Sequence, residues 1–227
     1  MTAARSVSRY AAALLEGPRR QGEAIGHGYV RFDSDVIAIT PAGAPRMPNG
    51  IEADLELAHG EPLTIGDGTL ETATATVSAG PIWDARPKPR HTVQVRPRPE
   101  LDLERLPGRG PGLTPLGDDI LVGYLAAAAL DGRNVRATAA RAARRTTTLG
   151  GTLLRLAAQA ELPEAAHRLL EDGDIEPLLR FGHTSGAGIA LGLGLHRTAA
   201  GTPQKTTPIG VNGRCYELTI TEIGDRC

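Results

Sequence analysis

The stretch Gly108-Arg109-Gly110-Pro111-Gly112-Leu113-Thr114-Pro115-Leu116-Gly117-Asp118-Asp119 runs directly into an apolar segment, Ile120 to Leu130. It constrains the fold more than any other part of the chain. Glycines at 108, 110 and 112 allow backbone angles that a side chain forbids, so several N–H groups can turn toward one point. Thr114 reads as an N-cap and Pro115 as the first helical residue, because proline has no N–H to lose there and its fixed φ suits a helix. A glycine-rich loop then feeds a helix N-terminus, where unpaired donors and the positive end of the helix dipole favour phosphate or carboxylate. Gly110, Gly112, Thr114 and Gly117 are the residues predicted to contact such an anion.

Asp118 and Asp119 fall in the first turn of the same helix. Acids there often do no more than neutralise the dipole, so a well-capped buried helix accounts for them without any ligand. Beside a bound anion they would repel it, unless Mg²⁺ is held between one or both carboxylates and the substrate's oxygens. The loop lacks the Gly-Lys-Ser/Thr of a Walker sequence and is not a dinucleotide fingerprint, so no nucleotide cofactor is predicted.

The charge balance excludes further classes. Among 227 residues, 25 Lys and Arg face 26 Asp and Glu, a net charge of −1, which gives no field for nucleic acid or an anionic membrane. Aromatic residues make up 3% of the chain, too few for a base-stacking surface. The N-terminal stretch is basic and Ala-rich, but Arg9 interrupts it and Glu16-Gly17-Pro18 ends it, unlike a signal peptide or a membrane span. Cys215 and Cys227 are too few for a disulfide framework, and a reducing, cytoplasmic setting is the expectation.

A short helix is expected over Val7 to Leu15, after which the texture turns β-prone. Strands are predicted at Gly28–Phe32, Val36–Thr40, Pro62–Ile65, Leu70–Val77 and Thr92–Val95. Turns at Asp33-Ser34, Pro48-Asn49-Gly50 and Gly66-Asp67-Gly68 separate them. Within Leu70–Val77, Thr72, Thr74 and Thr76 alternate with Ala73, Ala75 and Val77, the period of a half-exposed strand. His27, His59 and His91 show no ligand spacing and read as ordinary loop or surface histidines. Trp83 is placed at an edge of the core. Arg86 to Pro99, with four prolines and five basic residues, reads as a solvated edge strand that could also guard the entrance for an anionic substrate.

From Leu113 onward the period is helical. Leu116–Leu130 is apolar nearly all round, as befits a central helix. Val135–Arg145, Leu149–Ala160, Glu164–Glu171 and Ile175–Arg180 follow, with Thr148 as the expected cap of the third helix and Arg145 and Thr146 as candidate substrate contacts. A second glycine loop, Gly182-His183-Thr184-Ser185-Gly186, leads into Ala187–His196. With one residue omitted it repeats the first: Gly112-x-Thr114 answers Gly182-x-Thr184, and Gly117-x-x-Ile120-x-x-Gly123 answers Gly186-x-x-Ile189-x-x-Gly192. An internal duplication predicts that the two loop-helix units face each other around one pocket. Arg214–Ile223 alternates as a terminal strand returning to the sheet. The fold class expected is α+β, a mainly antiparallel sheet over residues 1–106 and a helical half over 107–227, together making one compact unit.

The segments GPGLTPLGDDILVGYLAAAAL, RRTTTLGGTLL and FGHTSGAGIALGLGL together resemble the AllH family, subunits of bacterial oxamate carbamoyltransferase. Met47 to Asp54 (MPNGIEAD) and the Trp83 region are also similar to that family's N-terminal half. The resemblance implies a part in converting oxalurate and phosphate to oxamate and carbamoyl phosphate, alongside companion subunits. It also implies a departure, since the family's second loop carries an aspartate where this chain has Gly188, the position that aligns with Asp119. The chain is short for the family.

The chemistry expected of these residues is transfer on a small carboxylated or carbamoylated substrate, with phosphate as co-substrate. Gly110, Gly112 and Thr114 would bind the anionic group, and Arg145, Thr146, Thr184 and Gly186 would complete the binding set. Asp118 and Asp119 would hold Mg²⁺ or orient the substrate nitrogen. His183 is the expected general acid or base, because an unperturbed imidazole titrates near neutral pH, although a loop histidine can equally just brace its turn. Ser185 is a weaker nucleophile candidate because GHTSG lacks the Gly-x-Ser-x-Gly elbow. Two other classes fit the same residues: a non-catalytic ligand-binding or scaffolding subunit, and a stand-alone hydrolase or cyclase. Either is compatible with a homo-oligomer.

Overall fold

The structure is a computed structural model that describes residues 1–26, 28–196 and 203–223. His27 and Cys227 lie outside the described residues. The chain divides into two compact units, Met1–Ala85 and Arg86–Cys227. The division falls before residue 106 because the strand at Thr92–Val95 pairs with the terminal strand and not with the strands that precede it.

The first unit contains β1 (Thr2–Ala3), β2 (Ser6–Ser8), α1 (Arg9–Glu16), β3 (Arg20–Gly26), β4 (Tyr29–Phe32), β5 (Asp35–Thr40), β6 (Gly50–Glu52), β7 (Pro62–Gly66), β8 (Thr69–Glu71), β9 (Thr76–Ser78) and β10 (Ile82–Trp83). All ten strands form one sheet, in the order β1-β9-β8-β7-β3-β4-β5-β6-β2-β10. Most pairings are antiparallel, as alternating runs between tight turns require. The β1–β9, β5–β6 and β2–β10 pairs are parallel. Ser8 caps α1 by accepting from the Ala11 N–H at 3.2 Å. Leu15 on α1 joins Phe32, Ile37, Ile51, Ile65 and Leu70 in a core from which water is excluded. Trp83 sits on the edge strand β10, half-buried under the Arg46 guanidinium at 5.1 Å.

One predicted strand is in fact two. Leu70–Val77 breaks between β8 and β9, because the Thr72 hydroxyl accepts from the N–H groups of Thr74 and Ala75 at 3.2 and 3.0 Å. A threonine that satisfies its neighbours' backbone in this way makes a turn where side-chain alternation suggests a strand. The Asp67-Gly68 turn has positive φ at both residues, 49° and 85°, the geometry of a two-residue hairpin. Strands β3 and β6 carried no clear alternation and were not expected. Asn49, fully buried, ties the turn before β6 to β5 by donating to the Val36 carbonyl at 2.9 Å.

The second unit begins with β11 (His91–Arg96) and a single 3₁₀ turn at Leu103–Arg105. Six helices follow: α2 (Leu116–Leu130), α3 (Arg136–Ala143), α4 (Thr148–Ala157), α5 (Glu164–Asp172), α6 (Glu176–Leu179) and α7 (Ser185–His196). Strands β12 (Pro203–Val211) and β13 (Arg214–Glu222) close the unit. The terminal strand does return to a sheet, but to a separate three-stranded one, ordered β11-β13-β12 and antiparallel throughout. β11 is its edge, as the proline-flanked basic run suggested. Gly194 on α7 lies against the backbone of Gln94 and Val95, and Arg98 donates to the Leu195 carbonyl at 2.6 Å, closing the C-terminal end of that helix.

Two helix starts differ from expectation. α2 begins at Leu116 with Pro115 as its N-cap, and Thr114 provides no cap because its hydroxyl is engaged elsewhere. α4 is capped by Thr147, not Thr148: the Thr147 hydroxyl accepts from the Gly150 N–H at 3.0 Å and donates to the Leu113 carbonyl at 2.5 Å. Thr147 thus staples the first glycine loop to α4. Thr147→Ala is expected to cost about 2 kcal/mol in urea unfolding, for a cap and a loop hydrogen bond lost together, while Thr148→Ala leaves the midpoint nearly unchanged.

Candidate functional site

α2 and α7 cross at van der Waals distance of their backbones, and the repeated glycines are the reason. A Cβ on Gly123 would fall inside 3.0 Å of the Ile189 carbonyl, and one on Gly192 inside 3.0 Å of the Ile120 carbonyl. The two halves of the repeat therefore contact each other reciprocally, glycine of one against isoleucine of the other. Both helix starts also receive the same kind of backbone bond from their loops: Gly117 donates to Arg109 at 2.8 Å and Gly186 to Phe181 at 3.0 Å. This crossing brings the loops together, and the Thr114 and Ser185 hydroxyls lie 3.2 Å apart.

Around that junction the predicted residues separate into distinct positions. Gly110 and Gly112 are exposed and adopt φ of 124° and 91°, which only glycine holds without strain. His183 and Thr184 are exposed on the second loop, while Thr114 and Ser185 are half-buried. Beneath them lie Asp118 and Asp119, at 1% and 2% exposure. Arg145 turns away: its guanidinium donates to the Glu104 carbonyl at 2.7 Å, and only its own carbonyl approaches the first loop, at Gly108.

The two aspartates differ in kind. Asp118 accepts from the Gly108 N–H at 2.8 Å through one oxygen and from the Thr146 hydroxyl through the other. Burial raises its pKa, and the hydrogen bonds from Thr146 and Gly108 oppose the rise. Gly150 leaves the room for this arrangement, since a Cβ there would collide with the Asp118 carboxylate. Asp119 instead has an oxygen, Oδ2, that is buried with no hydrogen-bond partner. Burial pushes its pKa up to about 8, helped by the negative charge of Asp118 and opposed by the Ser185 hydroxyl. At neutral pH Asp119 accordingly carries a proton, and Ser185 connects it to the exposed surface of the loops.

Both Asp118 oxygens are already engaged by the protein, whereas Asp119 Oδ2 has no protein partner. No group of three or more His, Cys, Asp or Glu placed to hold a metal occurs among the described residues. Gly188, the position paired with Asp119 in the repeat, packs directly on it: a Cβ there would come within 2.8 Å of the Asp119 Cβ. Gly117 and Arg109 also border a cavity of about 330 Å³, together with Leu116, Arg214 and Tyr216. Arg214 and Tyr216 were missed in the sequence because their nearness to the first loop depends entirely on where the β12–β13 hairpin folds.

These features define an α+β protein whose helical unit is a self-packed loop-helix duplication, with hydroxyl groups from both loops meeting over a buried, protonated carboxylate. Residues 106–196 match the family model described as oxamate carbamoyltransferase subunit AllH, so this stretch of the chain is similar to that family. The matched stretch lies wholly within the second unit and includes both glycine loops, whereas Met47–Asp54 and Trp83 fall outside it. No curated protein and no solved structure gives a match. Among the described residues no helix is long and apolar enough to cross a membrane.

Proposed function

We infer that the chain acts on a small carboxylated or carbamoylated metabolite at the junction of its two glycine loops, in carbamoyl transfer of the kind the family name denotes. In this reading oxalurate and phosphate give oxamate and carbamoyl phosphate in a cytoplasmic enzyme with companion subunits. A phosphate oxygen attacks the carbamoyl carbon, the bond from that carbon to the oxamate nitrogen breaks, and the nitrogen takes a proton. The exposed N–H groups of the first loop and the Thr114 hydroxyl hold the anionic groups. Asp119 supplies the proton through Ser185, and His183, exposed on the same loop as Ser185, is the other acid or base candidate. Mg²⁺ enters only if the substrate's own oxygens complete its coordination.

The observation carrying this reading is the 3.2 Å contact between Thr114 and Ser185, which joins the two loops directly above Asp119. The test is release of carbamoyl phosphate by the purified chain from oxalurate and phosphate, alone and with co-purified companion subunits. Asp119→Asn is expected to lower turnover by about 10²- to 10⁴-fold, the range for loss of a general acid. Phosphate-independent loss of oxalurate would point instead to a stand-alone hydrolase or cyclase.

A non-catalytic subunit is the second reading, favoured by one specific feature: the Asp118 carboxylate is spent on bracing Gly108 and Thr146 rather than on a guest. Oxalurate binding without turnover, under conditions where companion subunits alone are active, would establish it.

A further inference from the structure

Away from the two loops, the second unit holds a groove of about 500 Å³ between α2, α3 and the 3₁₀ turn. Its walls include Leu121, Tyr124 and Leu125 of α2 and Ala142 of α3, and most of its lining is hydrocarbon. Arg141, Arg144 and Arg145 stand at its rim, all exposed, because α3 and the residues after it place a cation at each of these positions. Among the described residues no carboxylate pairs with any of the three. Among the described residues the Arg141 guanidinium reaches only the Thr138 hydroxyl at 3.4 Å, that of Arg145 only a backbone carbonyl, and that of Arg144 no hydrogen-bond or ion-pair partner. Glu104 is the one acidic residue of the lining, so three positive charges face a single negative one.

Elsewhere on this chain exposed arginines are commonly paired, as in Arg5–Asp54, Arg19–Glu71, Arg31–Glu23 and Arg168–Asp172. Three guanidinium groups with no carboxylate partner among the described residues, beside exposed hydrocarbon, form a surface whose complement is an anion with an apolar body. The size of the groove separates a small molecule from a protein partner. A stable protein interface covers about 800 Å² on each side, whereas single-ligand pockets run from about 300 to 1,000 Å³.

We propose that this groove binds an amphiphilic organic anion, its carboxylate or phosphate held by Arg141 and Arg144 and its hydrocarbon laid on Tyr124 and Leu125. Planar guanidinium groups bind either head group through paired hydrogen bonds, which an uncharged amide cannot reproduce. The groove is also connected to the loop junction. Arg145, on its rim, is followed by Thr146, whose hydroxyl holds Asp118, and the Arg145 carbonyl packs on Gly108. A ligand that draws in Arg145 therefore acts on the base of the first loop.

Titration calorimetry on the full chain tests this with four probes: octanoate, octyl phosphate, octanamide and acetate. One equivalent of octanoate or octyl phosphate is expected to bind at least tenfold more tightly than octanamide or acetate, and the tighter of the two anions identifies the head group. In the Arg141→Gln/Arg144→Gln protein, affinity for the anion falls at least tenfold while octanamide binding stays the same. Both arginines are exposed, so an unchanged thermal midpoint serves as the folding control. Equal binding of octanoate and octanamide, or full affinity in the double variant, overturns the proposal. Because none of these probes is turned over and neither arginine belongs to the loop junction, the result is independent of whether the chain transfers a carbamoyl group.

Discussion

At pH 8 the Asp119→Asn protein is expected to be more stable than its parent, with the advantage shrinking steadily as pH falls toward 4. In the folded chain the Asp119 carboxyl keeps its proton up to about pH 8, and in the unfolded chain it loses it near 3.8. Between these values the folded state binds more protons than the unfolded one, so raising the pH favours unfolding, by at most about 1.4 kcal/mol for each unit. Asparagine has nothing to lose over that interval. Urea unfolding of both proteins at pH 4.5, 6, 7 and 8 reads the difference directly, and parallel stability profiles would show that Asp119 is not held protonated. The same substitution abolishes proton supply in the proposed reaction. A buried structural acid held protonated would show the same gain in stability, so it is the accompanying loss of turnover that marks a functional group.

Substituting alanine for Gly192 or Gly123 is expected to destabilise the second unit by about 3 kcal/mol or more, at the upper end of overpacking costs. At each position the new methyl meets backbone atoms of the opposing helix, Ile120 and Tyr124 in one case, Ile189 and Leu193 in the other, and backbone cannot rotate away as a side chain can. Gly210→Ala, where a Cβ meets nothing within 4 Å, is the control and should stay within about 0.5 kcal/mol of the parent. The double variant Gly123→Ala/Gly192→Ala should cost less than the sum of the two, since the first methyl already forces the helices apart. Chemical unfolding of the four proteins checks all three statements. Full additivity would mean that the two glycines do not share one crossing.

Much of the fold was legible because it rests on local chemistry. Pairs such as Asp67-Gly68 permit a tight hairpin wherever they stand, and the apolar runs of α2 and α7 could only be buried helices. The repeat could also be read directly, and with it the meeting of the two loops. Thr72 was misread because a hydroxyl that bonds to nearby N–H groups imitates, in sequence, the alternation of a strand. Thr114 was misread as a cap because its actual partner, Ser185, lies far along the chain.

The sequence alone determined that two glycine loops would open two apolar helices and that small residues would let those helices touch. Glycine's backbone freedom and missing side chain act at the position where they occur. The division of labour between Asp118 and Asp119 was decided only by tertiary structure. Neighbours on a helix point about 100° apart, so one carboxylate faced the donors of Gly108 and Thr146 while the other was enclosed beside Gly188. What separates a braced, hydrogen-bonded acid from a desolvated, protonated one is which part of the folded chain lies opposite.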